Sequence, residues 1–331
     1  MFSFQLVEWQ GLNFPNYFPK PQYNFENNPL DSNKIELGRL LFYDAILSRD
    51  KSISCSTCHS PFSAFSHNDH QLSHGIGDSI GRRNVPPLFN LAWQYNFMWD
   101  GAINHLDMQA LAPISSASEM GSDLKKVVQR LQNDTFYSTR FYRAFNDSVV
   151  TGERLLKALS QFQLTLISAN SKYDRVQRKE EVFTKQELKG YKLFKKACNS
   201  CHQEPLFSTY GFQQNFIEMD SSLNDFGKGE VTLFSDDSLK FKIPSLRNLK
   251  YSYPYMHDGR FYSLTKVLDH YTQEKTQQKF KNSGLKKINL TSDEKVDLIA
   301  FILTLNDKEF VFNSKHRFPR ELLTKWRESN N

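Results

Sequence analysis

The sequence predicts a mainly α-helical protein built from two tandem copies of one unit, and three observations point there. All four cysteines of the 331 residues fall in two copies of one short motif. The segments flanking each copy recur in the same order and at nearly the same spacing. Apolar residues repeat at helical intervals, whereas strand-type alternation is scarce. Composition agrees: 39% apolar and 24% charged residues describe an ordinary globular chain rather than a disordered one. No stretch approaches the ~18 consecutive apolar residues of a membrane-spanning helix. The 28 Phe, 14 Tyr and 4 Trp predict aromatic-rich cores. A formal charge of +6 without a Lys/Arg tract argues against nucleic acid and leaves open a basic face for an acidic protein.

In chain order, residues 1–30 carry Pro15, Pro19, Pro21 and Pro29 among several aromatics and read as an arm laid over the surface. The first unit, residues 31–175, opens with Gly38-Arg39-Leu40-Leu41-Phe42 and reaches Cys55-Ser56-Thr57-Cys58-His59. It closes with a helix whose Leu155, Leu159, Phe162 and Leu166 share one face. The charged, glycine-free stretch from Asn170 to Glu181 is the natural boundary. The second unit, residues 176–315, starts at the capping box Thr184-Lys185-Gln186-Glu187 and runs through Gly190-Tyr191-Lys192-Leu193-Phe194 to Cys198-Asn199-Ser200-Cys201-His202. A second capping box, Thr291-Ser292-Asp293-Glu294, begins its closing helix, with Val296, Ile299, Ala300 and Leu303 as the expected apolar face. Phe162-Gln163-Leu164-Thr165-Leu166 is echoed by Phe301-Ile302-Leu303-Thr304-Leu305, 107 and 103 residues after the first cysteine of each motif. Residues 316–331 read as a tail, and His105 and His316 as surface or helix residues.

Cys-x-x-Cys-His is the attachment pattern of c-type haem. Two thioether bonds need cysteines about one helical turn apart, and the adjacent histidine then rises beneath the iron as proximal ligand. A structural zinc site or a pair of redox disulfides are the alternatives. The two pairs lie 143 residues apart, neither alternative demands a histidine after both, and no βαβ pattern surrounds them. Two covalent haem c groups are therefore expected, on Cys55, Cys58 and His59 and on Cys198, Cys201 and His202. Such haems are attached outside the cytoplasm, which predicts a periplasmic protein. The opening Met1-Phe2-Ser3-Phe4-Gln5 lacks a basic segment followed by an apolar one, so the export signal is expected to lie outside this chain.

From Leu37 to Leu305 the sequence resembles the bacterial dihaem cytochrome c peroxidases and their MauG-type relatives. The resemblance rests on Gly38-Arg39-Leu40-Leu41-Phe42-Tyr43-Asp44, both haem motifs, Gly81-Arg82-Arg83-Asn84, Phe97-Met98-Trp99-Asp100-Gly101, Pro113-Ile114 and Glu119-Met120. It continues through Pro244-Ser245-Leu246-Arg247-Asn248 and Pro254-Tyr255-Met256-His257-Asp258-Gly259. It implies two tandem cytochrome c-like domains with a calcium site at their interface. The haem on His59 would be the peroxide site, and the haem on His202 would be six-coordinate and take in electrons. Glu119 matches the distal acid and Trp99 the tryptophan between the haems. Asn84 matches a calcium ligand, joined by backbone carbonyls at the positions of Ser252 and Pro254. H2O2 and a small donor, a cytochrome c or cupredoxin, are the implied partners, and relatives are often homodimers. Lys192, Lys195, Lys196, Lys240 and Lys242 offer a basic rim for that donor or a plain solvated face.

Two departures from the methionine-ligated peroxidases stand out. Their sixth ligand on the electron-entry haem lies 14 residues after the histidine matching His257, where this chain has Tyr271. The MauG-type branch has tyrosine there, and a phenolate lowers the reduction potential where a thioether raises it. His270 and Met256 are neighbouring alternatives. On the first haem, the position of a releasable distal histidine holds Ile76, with His74 two residues earlier. Three activities follow: a peroxidase reducing H2O2 to water, a MauG-type high-valent haem oxidase modifying a partner protein, or a non-catalytic dihaem electron carrier.

Overall fold

One helix crossing organises each half of the chain, and a glycine makes each crossing close. The computed structural model describes residues 6–9, 11–283 and 285–324. In the first half, helices Ser32–Tyr43 and Gly152–Leu164 meet at Gly38, where an added Cβ would stand 1.8 Å from the Ala158 carbonyl oxygen and 3.1 Å from the Phe162 Cβ. In the second, helices Lys185–Ala197 and Ser292–Leu303 meet at Gly190, where a Cβ would stand 1.9 Å from the Asp297 carbonyl oxygen and 2.9 Å from the Phe301 Cβ. The two repeated sequence segments are thus the two sides of one crossing, used twice. Cores of the expected kind surround them. Phe42 meets Phe162 at 5.2 Å between ring centroids, and Phe194 meets Phe301 at 5.1 Å.

The helix starts follow from side-chain capping. The Asp31 carboxylate accepts from the Asn33 and Lys34 amides, at 2.9 and 3.0 Å. Thr184 with Glu187 and Thr291 with Glu294 form the reciprocal boxes expected of them. The closing helix of the second half differs from the sequence expectation in its buried stripe. Leu298, Phe301 and Ile302 face inward, whereas Val296 and Leu303 are exposed. This helix is apolar nearly all round from Leu298 to Leu303, so spacing alone does not fix which side the partner helix covers.

Both ends of the described chain close the first core. Leu6–Trp9 and Leu12–Pro15 form an antiparallel hairpin. Phe14 and Phe18 each meet Trp93 edge-on at 5.3 Å, and Phe25 is buried, so the arm is wedged into the core rather than laid over it. From Asp307 the chain returns to the first half, with Phe310, Val311 and Leu323 in its core. His316 is buried there as well, against Phe65 and Phe310, and the Tyr43 hydroxyl donates to its carbonyl. The Met1–Gln5 stretch and the tail beyond residue 324 lie outside the described residues.

Two of the sequence motifs tie the halves together. Arg83 donates to Asp225 at 2.6 and 2.8 Å and to Asp100 at 2.5 Å. Arg247, fully buried, pairs with the equally buried Asp174 through two bonds of 2.7 and 2.8 Å, and the Tyr17 hydroxyl donates to the same carboxylate. Among the described residues no helix is long and apolar enough to cross a membrane.

Candidate dihaem site

The two Cys-x-x-Cys-His motifs fold into the same turn by different routes. Cys55–Cys58 is a single free-standing helical turn, with the His59 amide donating to the Cys55 carbonyl at 2.9 Å. The second motif grows directly from the helix Lys185–Ala197, capped by Cys198, and the His202 amide donates to the Cys198 carbonyl at 2.9 Å. All four thiols are free. Burial pushes Cys55 and Cys198 up to about 12 and Cys58 up to about 11, the reverse of a thiolate-stabilising redox pair.

The histidines are fixed through one nitrogen each. His59 Nδ1 lies 2.7 Å from the Phe65 carbonyl oxygen, and His202 Nδ1 lies 3.1 Å from that of Pro244 and 3.3 Å from that of Phe207. An Nδ1–H directed at a carbonyl leaves the Nε2 lone pair for a metal. Burial also pushes both rings down to about 4, which keeps them neutral as ligation requires. Paired neutral thiols beside an oriented imidazole, twice over, fit a covalent haem in each half.

Near the first motif lies Glu119. Its loop is pinned by the Ile76 amide donating to the Glu119 carbonyl at 2.8 Å and the Arg49 amide donating to the Met120 carbonyl at 2.9 Å. Gly75 permits this approach, since a Cβ there would sit 2.1 Å from the Ser118 carbonyl oxygen. Gly121 permits it from the other side, with φ of +56° and Ile76 Cδ1 at 2.5 Å from its would-be Cβ. Burial raises the Glu119 pKa above the usual carboxylate value, and its charge is felt at both Cys55 and Cys58, so the carboxyl lies near the first motif. Ile76 is buried beside this loop. The His74 ring turns instead onto His70, at 3.9 Å between centroids, and His70 stacks on His67 at the same distance.

Trp99 bridges the halves. Its Nε1 donates to the Asn84 carbonyl at 2.8 Å, and its own carbonyl accepts from the Lys242 amide at 2.7 Å. Asn84 in turn receives the second half: its amide donates to the His257 carbonyl at 2.7 Å, and its Nδ2 donates to the Gln71 carbonyl at 2.8 Å. Ser252 and Pro254 are buried on the segment leading to His257.

Of the three residues weighed for the second haem, two are occupied. His270 Nε2 lies 2.9 Å from the Asn215 carbonyl oxygen and its Nδ1 lies 3.1 Å from the Gln273 side-chain nitrogen. The Met256 sulfur accepts from Asn215 Nδ2 at 3.5 Å. Tyr271, on the helix Leu264–Thr272, is held protonated by burial and by the nearness of Cys198 and Cys201, so its phenol faces the second motif. Lys242 stands apart from the other lysines offered for a basic rim. Lys195 pairs with Glu204 at 2.6 Å and Lys240 with Asp237 at 3.2 Å, whereas Lys242, half-buried, has no such partner among the described residues, and burial pushes its amine down to about 8. Its position between Phe241 and Ile243 was the available signal.

Residues 32–182 match the di-haem cytochrome c peroxidase family and residues 188–306 match cytochrome c. The methylamine utilization protein MauG of Methylophilus methylotrophus is 35% identical over 303 residues, spanning 88% of this chain and 87% of that protein. This chain belongs to the di-haem cytochrome c peroxidase/MauG family. The cytochrome c551 peroxidase of Nitrosomonas europaea is 30% identical, with 84% of this chain and 81% of that protein covered. A solved MauG-like protein associated with microbial copper homeostasis superposes with a TM-score of 0.83 at 29% identity, over 92% of this chain and 98% of that one. As a member of the di-haem family the protein is an oxidoreductase with two haem c groups and an electron-transfer role.

Proposed function

We propose that the protein is a dihaem cytochrome c peroxidase, reducing H2O2 to two waters at the first haem with two electrons delivered one at a time through the second. The observation that carries this reading is the half-buried Glu119 carboxyl near Cys55 and Cys58. The bound haem supplies the iron at which the O–O bond breaks. His59 would hold that iron, its ring fixed by the Phe65 carbonyl. Glu119 takes the proton from the proximal peroxide oxygen and returns it to the departing hydroxyl, so the leaving group is water. A carboxyl with a raised pKa suits both halves of that transfer. Trp99, hydrogen-bonded to both halves, would carry electrons between the haems, and Tyr271 would ligate the second. Asn84 with the carbonyls of Ser252 and Pro254 is the oxygen donor set for calcium, a hard cation that such donors suit. A small cytochrome c or cupredoxin in the periplasm is the donor.

The test is Glu119→Gln. With both haems attached, H2O2 consumption is expected to slow by about 10²–10⁴-fold, the usual worth of a general acid–base group. An unchanged rate would remove Glu119 from the reaction. Tyr271 favours a second reading, a MauG-type oxidase acting on a partner protein, because an anionic oxygen donor hinders electron entry from high-potential donors. Steady-state peroxide reduction with a reduced small cytochrome separates the two: turnover supports the peroxidase, and its absence the oxidase.

A further inference from the structure

A half-buried cation without an anion is an unfinished interaction. Among the described residues the Lys242 ammonium makes no ion pair and no hydrogen bond; it lies over the ring of Tyr210, 5.8 Å from the centroid. The Tyr210 hydroxyl is itself buried without a partner. An ammonium partly withdrawn from water is costly unless a carboxylate meets it, and Lys242 is half-buried. The surroundings say which carboxylate. Lys242 stands two residues before Pro244, whose carbonyl orients His202. The Lys242 strand residue pairs with Phe212, on the segment that leaves the second motif through the Thr209 amide bond to the Cys201 carbonyl, 3.0 Å. The backbone at Lys242 thus runs between the segment that orients His202 and Trp99.

We infer that Lys242 binds a propionate of the second haem, with Tyr210 as its aromatic floor. The ion pair does two things. It neutralises a carboxylate next to the iron, which favours the reduced haem. It also fixes that edge of the haem against the backbone that holds Trp99, since the Lys242 amide donates to the Trp99 carbonyl. Neither consequence requires the peroxidase reading, only the two covalent haems of the family.

The experiment is a spectroelectrochemical titration of the holoprotein and its Lys242→Met and Lys242→Arg variants, without peroxide, at pH 6 and pH 8. Lys242→Met is expected to disfavour reduction of the second haem by about tenfold, or ~59 mV for a one-electron couple. It should also give that haem a pH-dependent potential, as the unpaired propionate now takes a proton. Lys242→Arg should restore both. An unchanged second-haem potential in Lys242→Met, or a change confined to the first haem, overturns the assignment. Thermal unfolding of the same variants guards against a merely structural effect: a potential shift that Lys242→Arg fails to restore while unfolding is unaltered also counts against the ion pair.

Discussion

At the scale of single residues, the proposed ligand Tyr271 makes the sharpest prediction about redox behaviour. Burial and the neighbouring thiols keep its phenol protonated in the chain alone, so ligation must release a proton. The resulting anionic oxygen stabilises ferric iron, whereas a thioether stabilises ferrous iron. Tyr271→Met is therefore expected to raise the second-haem midpoint potential and to change the low-spin signal in electron paramagnetic resonance. An unaltered spectrum and potential would show that another group ligates this iron. Sequence spacing alone left Tyr271, His270 and Met256 as competitors. What distinguishes them is partner occupancy, with both His270 nitrogens and the Met256 sulfur already engaged around Asn215. The two bonds to Asn215 join segments 41 and 55 residues apart and have no trace in local sequence.

At the scale of elements, Gly190 sets two effects of substitution against each other. Gly→Ala inside a helix gains roughly 1 kcal/mol in helix propensity. At Gly190 the new Cβ would also stand 1.9 Å from the Asp297 carbonyl oxygen, and no rotamer change can move a backbone atom. The helices must separate, and overpacking of this kind typically costs about 1–3 kcal/mol. The clash outweighs the propensity, so Gly190→Ala is expected to lower the denaturant midpoint of the holoprotein, and Gly38→Ala should do the same. A midpoint equal to or above that of the parent would show that the crossing has slack. These glycines were visible as a repeat in the sequence because both sides of the crossing are short, ordered motifs. The buried stripe of the closing helix was not, because Val296 and Leu303 extend the apolar pattern onto its solvent side.

At the scale of the molecule, the haem motifs and the doubled unit were readable because each is local. The role of the chain ends was not. Phe14, Phe18 and Phe25 near one end and Phe310, His316 and Leu323 near the other lack regular periodicity, and their burial depends on contacts across most of the chain. His316 makes this closure sensitive to acid. Burial pushes it down to about 4, with Arg39 and Lys315 adding to the effect and the bond to the Phe310 carbonyl opposing it. In the unfolded chain the ring titrates near 6.5. Between those values the unfolded state binds the extra proton, so stability is complete above pH 6.5 and falls as the pH drops toward 4. By pH 5 the loss from this one residue is about 2 kcal/mol. His257 and His270 are also buried with lowered pKa values and will add their own acid sensitivity. His316→Gln isolates the one group, because the others are present in both proteins. Urea unfolding of the holoprotein at pH 7.5 and pH 5 should show a smaller loss in the variant than in the parent. Equal losses would mean that the C-terminal segment opens before His316 protonates, and that the first core does not depend on its closure.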